Sequence, residues 1–254
     1  MPTRAKAQAA VIAGAVRVDG ARATKPATTV TDDAHIEVDQ PPKYVSRGGD
    51  KLEGALIDTG LEVTGADALD LGASTGGFTD CLLKHGADRV IAVDVGYGQL
   101  AWPLRNDPRV TVMEETNARY LKPEQVPYQP DLVTADLSFI SLALLFPVIR
   151  GLGPTRIVCL VKPQFEAGAK NLRKGVVRDP KIHLDVLRKI WEQAHFEGLE
   201  GLFLTHSPLK GPAGNVEFLA GFRLLPDNLK LKPYDPSVWE QRLVEAVDLA
   251  QREL

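Results

Sequence analysis

The sequence of 254 residues predicts an α/β fold, a mainly parallel sheet of about seven strands whose last strand runs against the others. Three observations carry this. From residue 50 onward, short apolar runs alternate with segments of helical periodicity. A glycine-rich turn follows the first of these runs and opens a helix. The last two runs, Leu199–Thr205 and Val216–Leu224, leave no room for a helix between them. Parallel pairing needs a crossover of about a dozen residues or more, so the final strand is expected to be antiparallel.

Taken in order, the first forty residues read as a small separate module. Ala5–Ala13 is Ala-rich and helical, ending near Gly14, and Val16–Val18 enters a hairpin turn at Asp19-Gly20. Gln40-Pro41-Pro42-Lys43 reads as a linker, because proline restricts both helix and ladder. The expected boundaries are 1–40 for the module, 41–45 for the linker and 46–254 for the main domain. Leu52, Ala55 and Leu56 recur at helical spacing, so Asp50–Thr59 is predicted to be a helix. Ala66–Leu71 is a buried strand, Phe78–His85 a helix, Arg89–Val95 and Val110–Met113 the next strands. Asp131–Leu137 is the fourth strand, Leu142–Leu152 an apolar helix and Ile157–Val161 the fifth strand. An amphipathic helix Ile182–His195 precedes the final two strands, and Val238–Arg252 closes the chain as a helix.

Composition excludes several classes. The chain is 44% hydrophobic and 25% charged with net charge −3, which places it among ordinary globular proteins. No apolar run approaches the roughly 18 residues of a membrane-spanning helix. Nor does the N-terminus carry an apolar leader, so a cytoplasmic protein without membrane contact is expected. Cys81 and Cys159 make no disulfide framework, and the scattered histidines form no H-E-x-x-H pattern, so no metal site is expected. The charge is uneven. Residues 1–30 carry Arg4, Lys6, Arg17, Arg22 and Lys25 against Asp19, a net +4. Residues 162–189, which include Lys162, Arg173, Lys174, Arg178 and Lys181, carry a net +5. Two basic blocks on an acidic chain suit a polyanion; the alternative is solvated loops and helix faces.

The turn Asp70-Leu71-Gly72-Ala73-Ser74-Thr75-Gly76-Gly77 is placed for a nucleotide-type ligand. Glycine lets backbone approach such a ligand closely, and a helix start offers free N–H groups. Its spacing is not the dinucleotide pattern G-x-G-x-x-G. Asp94, near the end of the second strand, is placed to accept the hydroxyls of an adenosine ribose. Either feature alone could be structural. With the antiparallel last strand, the turn resembles that of class I methyltransferases, which use S-adenosylmethionine. That resemblance implies a cofactor site of Asp70, Gly72, Ser74, Gly76, Gly77, Phe78, Asp94 and Asp136, with Asn117 at the adenine edge. Asn117 could equally be a turn residue.

Four charged residues fall at the ligand-binding edge of such a sheet. Lys51 precedes the first strand, Asp136 and Lys162 end the fourth and fifth, and Glu217 starts the last. Two lysines brought together could take up a hydroxyl proton or stabilise an alkoxide, with the carboxylates orienting them. Asp136-Leu137-Ser138-Phe139 lacks the paired prolines usual in methylation of exocyclic amines, which favours an oxygen acceptor.

Tyr44–Leu52, Asp70–Gly77, Ala135–Ser141, Val161–Glu166 and Gly214–Phe218 resemble, in order, the motifs of the TlyA family. This is a family of bacterial rRNA 2′-O-methyltransferases, often labelled haemolysins, with an FtsJ-like catalytic domain behind an S4 RNA-binding domain. The resemblance implies catalysis by Lys51, Asp136, Lys162 and Glu217, S-adenosylmethionine as methyl donor, and cytidine in ribosomal RNA or ribosomal subunits as substrate. It assigns RNA phosphates to Arg4, Lys6, Arg17, Lys25, Arg47, Arg173, Lys174 and Arg178. The sequence starts at roughly the second helix of an S4 domain, so that module is expected to be truncated. The alternatives are a small-molecule O-methyltransferase and an RNA-binding protein without turnover. A pore-forming haemolysin would need spanning or amphipathic segments that are not evident.

Overall fold

A computed structural model of the chain describes residues 3–39, 42–225 and 234–254. It divides into two compact units, Met1–Lys43 and Tyr44–Leu254. Tyr44, inside the span expected to be linker, is buried in the core of the second unit. Gln40 and Pro41 lie outside the described residues.

In the first unit, helix α1 (Arg4–Ile12) is capped by Thr3, whose hydroxyl accepts from the Lys6 amide. The expected hairpin is present. Strands β1 (Val16–Val18) and β2 (Ala21–Arg22) flank a turn in which Asp19 and Gly20 both have positive φ, as a two-residue hairpin turn requires. A third strand, β3 (Ile36–Val38), pairs antiparallel with β1. It was not expected, because its acidic flanks and exposed residues give no strand pattern.

The second unit holds a seven-stranded sheet in the order β6-β5-β4-β7-β8-β10-β9. Its strands are β4 (Asp67–Leu71), β5 (Arg89–Val93), β6 (Val110–Met113), β7 (Leu132–Ala135), β8 (Arg156–Val161), β9 (Leu199–His206) and β10 (Phe218–Leu224). The pairs from β6 to β8 are parallel, and β10 runs antiparallel to both neighbours, as expected. The last strand also inserts between the fifth and the sixth, leaving β9 at the edge.

Strand alternation builds two cores. Leu69, Leu71, Ile91, Val93, Val133 and Ile157 face one layer, with helices α5 (Phe146–Leu152), α7 (Pro180–Phe196) and α8 (Pro236–Glu253). Ala68, Val90, Ala92, Leu132, Val158 and Leu160 face the other, with α2 (Arg47–Thr59), α3 (Gly77–Lys84) and the short α4 (Trp102–Arg105), whose Leu104 is buried there. The apolar run read as one helix over 142–152 instead starts as a 3-10 turn at Leu142–Leu144. The α-helix begins only at Phe146, where Pro147 in the first turn fixes the register.

The first core closes on Phe222, fully buried beside Phe146 and Trp191 at ring distances of 5.7 and 4.9 Å. Phe222→Ala is expected to cost about 3–5 kcal/mol in urea unfolding, whereas Phe196→Ala, at a ring 84% exposed, should stay within about 0.5 kcal/mol.

Candidate active site

Two adjoining cavities open at the carboxyl edge of the parallel strands, where ligands of open α/β sheets bind. The larger, about 640 Å³, is lined by Gly72, Ser74, Asp94, Gln99, Asn117 and the loop Asp136–Ser141. The smaller, about 330 Å³, is lined by Ser46, Arg47, Lys51, Gly77, Phe78, Lys162 and Pro212. Gly72, Ser74, Asp136 and Ser138 line both, so the cavities share one wall.

That wall depends on backbone that few residues can adopt. Gly72 has φ +84°, and a Cβ there would stand 2.6 Å from the Asp136 carbonyl oxygen. Ser74 and Phe139 hold positive φ without being glycine (49° and 65°), strain of the kind that collects at functional sites. Asp94 fixes the turn. Its carboxylate accepts from the amides of Ser74 at 2.8 Å and Gly96 at 2.7 Å, one to each oxygen. Each oxygen keeps a further lone pair for a hydroxyl. Asn117 is held in a turn at the cavity wall. Its side-chain oxygen accepts from the Arg119 amide, which makes it a turn residue, while the side chain lines the larger cavity and keeps its N–H donors.

The turn residues divide three ways. Gly72 and Ser74 line the larger cavity, and Gly77 and Phe78 only the smaller. Asp70 and Gly76 line neither. Gly76 is buried against Leu100 and Leu104, which leave no room for a Cβ. Asp70 points away from the edge into the second core, accepting from Thr79 at 2.7 Å and Thr134 at 3.0 Å. It ties β4 to α3 and β7 from behind the site. Burial pushes its carboxyl up to about 6; the two threonine hydroxyls oppose the rise and the charge of Asp136 adds to it.

The four charged residues converge as two ion pairs. Lys51 Nζ lies 2.5 Å from Glu217 Oε2, and both side chains are almost wholly buried. Lys162 Nζ lies 2.6 Å from Asp136 Oδ1 and donates to the Ser138 hydroxyl at 3.1 Å. Lys51, Asp136 and Lys162 line the smaller cavity, with Glu217 directly behind Lys51. Three participants were not singled out in the sequence. Ser138 holds Lys162, Gln164 donates to Glu217 Oε1 at 3.2 Å, and Phe139 stands 90% exposed with its ring 4.8 Å from Phe165. All lie inside the quoted motifs, but polarity alone does not distinguish them from neighbours.

The basic residues behave differently. Arg47 lines the smaller cavity and donates to the Lys210 carbonyl at 2.8 Å. Arg173 and Lys174 sit on a tight turn closed by the Arg173–Val176 bridge, and Arg178 lines a separate cavity with His183 and Lys210. These three do not line the smaller cavity. They are nevertheless tied to it. Buried Asn215, two residues before Glu217, accepts from the Val177 amide and donates to the Gly175 carbonyl, both at 3.0 Å. In the first unit Arg4, Lys6, Arg17 and Lys25 are all exposed. Cys159, pushed up to about 12 by burial, is no nucleophile. Among the described residues no cluster of His, Cys, Asp and Glu could hold a metal ion, and no helix is long and apolar enough to cross a membrane.

A seven-stranded sheet with one reversed strand, a glycine cradle after β4 and a carboxylate after β5 define a class I methyltransferase fold. The chain belongs to the FtsJ-like methyltransferase family, which matches residues 44–224, and an S4 domain matches residues 2–36. Mycobacterium tuberculosis TlyA, named a 16S/23S rRNA (cytidine-2′-O)-methyltransferase, is 49% identical over 231 residues, 88% of this chain and 86% of TlyA. Brachyspira hyodysenteriae Hemolysin A is 43% identical, covering 87% of this chain and 93% of its own. A solved Streptococcus thermophilus protein assigned by name to the hemolysins has a TM-score of 0.78 and 39% identity, covering 100% of this chain and 92% of its own.

Asp70 provides a test of the site's support. Its ordinary carboxyl value, 3.8, is that of the unfolded chain, so the folded state binds the proton more tightly between about pH 4 and 6. The native chain should therefore gain stability relative to Asp70→Asn as the pH falls from 7 to 4, by up to about 3 kcal/mol. Urea unfolding of both proteins at the two pH values measures it; a pH-independent difference would mean a carboxyl in a water-like setting.

Proposed function

We propose that this chain transfers a methyl group from S-adenosylmethionine to the ribose 2′-hydroxyl of cytidine in ribosomal RNA. The observation that carries the reading is the meeting of two lysine–carboxylate pairs in a cavity that shares its wall with a nucleotide-sized one. The residues fit the donor. The Cβ-free Gly72 leaves room along the wall, Asp94 offers lone pairs to a ribose, and Asn117 offers N–H donors to an adenine ring nitrogen. When bound, S-adenosylmethionine supplies an electrophilic methyl group on a sulfonium.

The chain's own residues do the rest. A ribose hydroxyl is a weak acid and loses its proton as it attacks. Lys51, held by Glu217, supplies fixed positive charge beside the developing alkoxide. Lys162, oriented by Asp136 and Ser138, supplies a second positive charge there, and the hydroxyl proton leaves to solvent as the oxygen attacks. The exposed Phe139 ring at the larger cavity offers a stacking face to an unpaired base, the usual way a protein grips single-stranded RNA. The S4 match and the basic residues of both units support an RNA acceptor over a small molecule.

Mapping 2′-O-methylation on ribosomal RNA with and without the chain tests the reading directly. Lys162→Ala should abolish methylation while calorimetric affinity for S-adenosylmethionine stays within a few-fold, because the lysine serves the acceptor. Near-normal turnover in that variant would remove the ion pairs from catalysis. Asp94→Ala should weaken S-adenosylmethionine binding by about 1.5–3 kcal/mol, the worth of hydrogen bonds to a charged group. Unchanged calorimetric affinity in a folded Asp94→Ala protein would take the carboxylate out of the cofactor site.

A further inference from the structure

We propose that Gln164 is a positioning residue for methyl transfer, its side-chain amide holding the Glu217 carboxylate in the one orientation that locks Lys51 into the acceptor cavity. This rests on the methyl-transfer reading and adds a residue to it. Glu217 is 1% exposed and both its oxygens are engaged, Oε2 by Lys51 at 2.5 Å and Oε1 by Gln164 Nε2 at 3.2 Å. Against the same Oε1 the backbone at Gly211 comes so close that a Cβ there would strike it. With Lys51, Gln164 and Gly211 against it, the carboxylate has no second place to turn. The charged groups of the same cavity, Lys162 and Asp136, are paired with each other, and Arg47 is bonded to the Lys210 carbonyl. Gln164 is thus the neutral donor that completes Glu217.

The amide orientation follows from the same contact. Turned over, its oxygen would face the carboxylate, and like partial charges repel, so the nitrogen must face Glu217. The cost of this choice is visible. Gln164 Oε1 is buried with no hydrogen-bond partner among the described residues, an arrangement proteins seldom keep. An apolar side chain of the same length would remove that orphan, so what the amide contributes is the bond to Glu217. Its location adds a second consequence. The short helix α6 (Pro163–Glu166) starts directly after Lys162, so one turn carries both Lys162 and Gln164 and couples the two ion pairs.

The test compares the native chain, Gln164→Met and Gln164→Glu, all full length, on ribosomal RNA. Gln164→Met should lower kcat about tenfold or more, leave the KM for RNA and the calorimetric Kd for S-adenosylmethionine within about threefold, and leave the Tm no lower than native. Without its neutral donor the charged carboxylate is disfavoured, so the acid limb of the kcat–pH profile should move to higher pH. In Gln164→Glu a second carboxylate repels Glu217 until it is protonated, whereupon it can donate, so activity should recover as the pH falls. Unchanged kcat and pH profile in Gln164→Met would overturn the proposal, as would a loss that follows a lowered Tm with the profile unaltered. Acylation of Lys51 by acetic anhydride, read by mass spectrometry, decides the matter independently of turnover. It should rise about threefold or more in Gln164→Met, and an unchanged rate counts against the proposal. A native chain that leaves ribosomal RNA unmethylated would instead refute the methyl-transfer reading.

Discussion

The site depends on burying charge. Lys51 and Glu217 lie out of water, where an unpaired ammonium or carboxylate would cost several kcal/mol, so neither can be there without the other. Their partner atoms come from opposite ends of the domain sequence, 166 residues apart, and only the completed sheet brings them within 2.5 Å. The second pair, Lys162 with Asp136, joins the ends of two adjacent parallel strands and is more open to solvent. The cavity therefore presents one fixed cation and one more accessible cation to whatever enters it, an arrangement suited to an acceptor that must carry negative charge briefly.

Around this pair the backbone is held in conformations that side chains rarely choose. The Gly72 approach to Asp136, the positive φ of Ser74 and the two amide bonds to Asp94 form one rigid wall. Glu166 anchors the far end of that wall, accepting from the Ser141 hydroxyl at 2.6 Å and the Leu142 amide at 2.8 Å. The loop that carries Asp136, Ser138 and Phe139 is thus fastened at both ends, and its strained residues stay in place because their neighbours over-determine them.

Much of this was legible because the strands are short, apolar and evenly spaced. The expected strand ends put Asp94, Asp136 and Lys162 at one edge, where the structure places them. What stayed hidden depended on direction within a strand or on pairing between segments. Asp70 alternates to the opposite face from Leu69 and Leu71, so it sits between Thr79 and Thr134, partners that spacing does not reveal. Gln164 gained meaning only once Glu217 stood opposite it. β3 has too little burial to leave a pattern, and the basic turn at Arg173 is attached through Asn215, a contact that spacing does not encode.

The reversed strand explains why a carboxylate can reach the site from the end of the domain. In an all-parallel sheet every strand delivers its last residues to the ligand edge and its first residues to the far side. β10 alone delivers its first residues there, and they arrive from the loop that follows β9, which closes the smaller cavity with Pro212 and presses Gly211 against Glu217. Insertion between β8 and β9 sets Phe218 opposite Val161, one residue before Lys162, so Glu217 and Lys162 are neighbours by register. The same topology that leaves β9 as an edge strand therefore places the fourth member of the charged set, and moving β10 to the edge would separate the two ion pairs by a full strand spacing, about 4.8 Å.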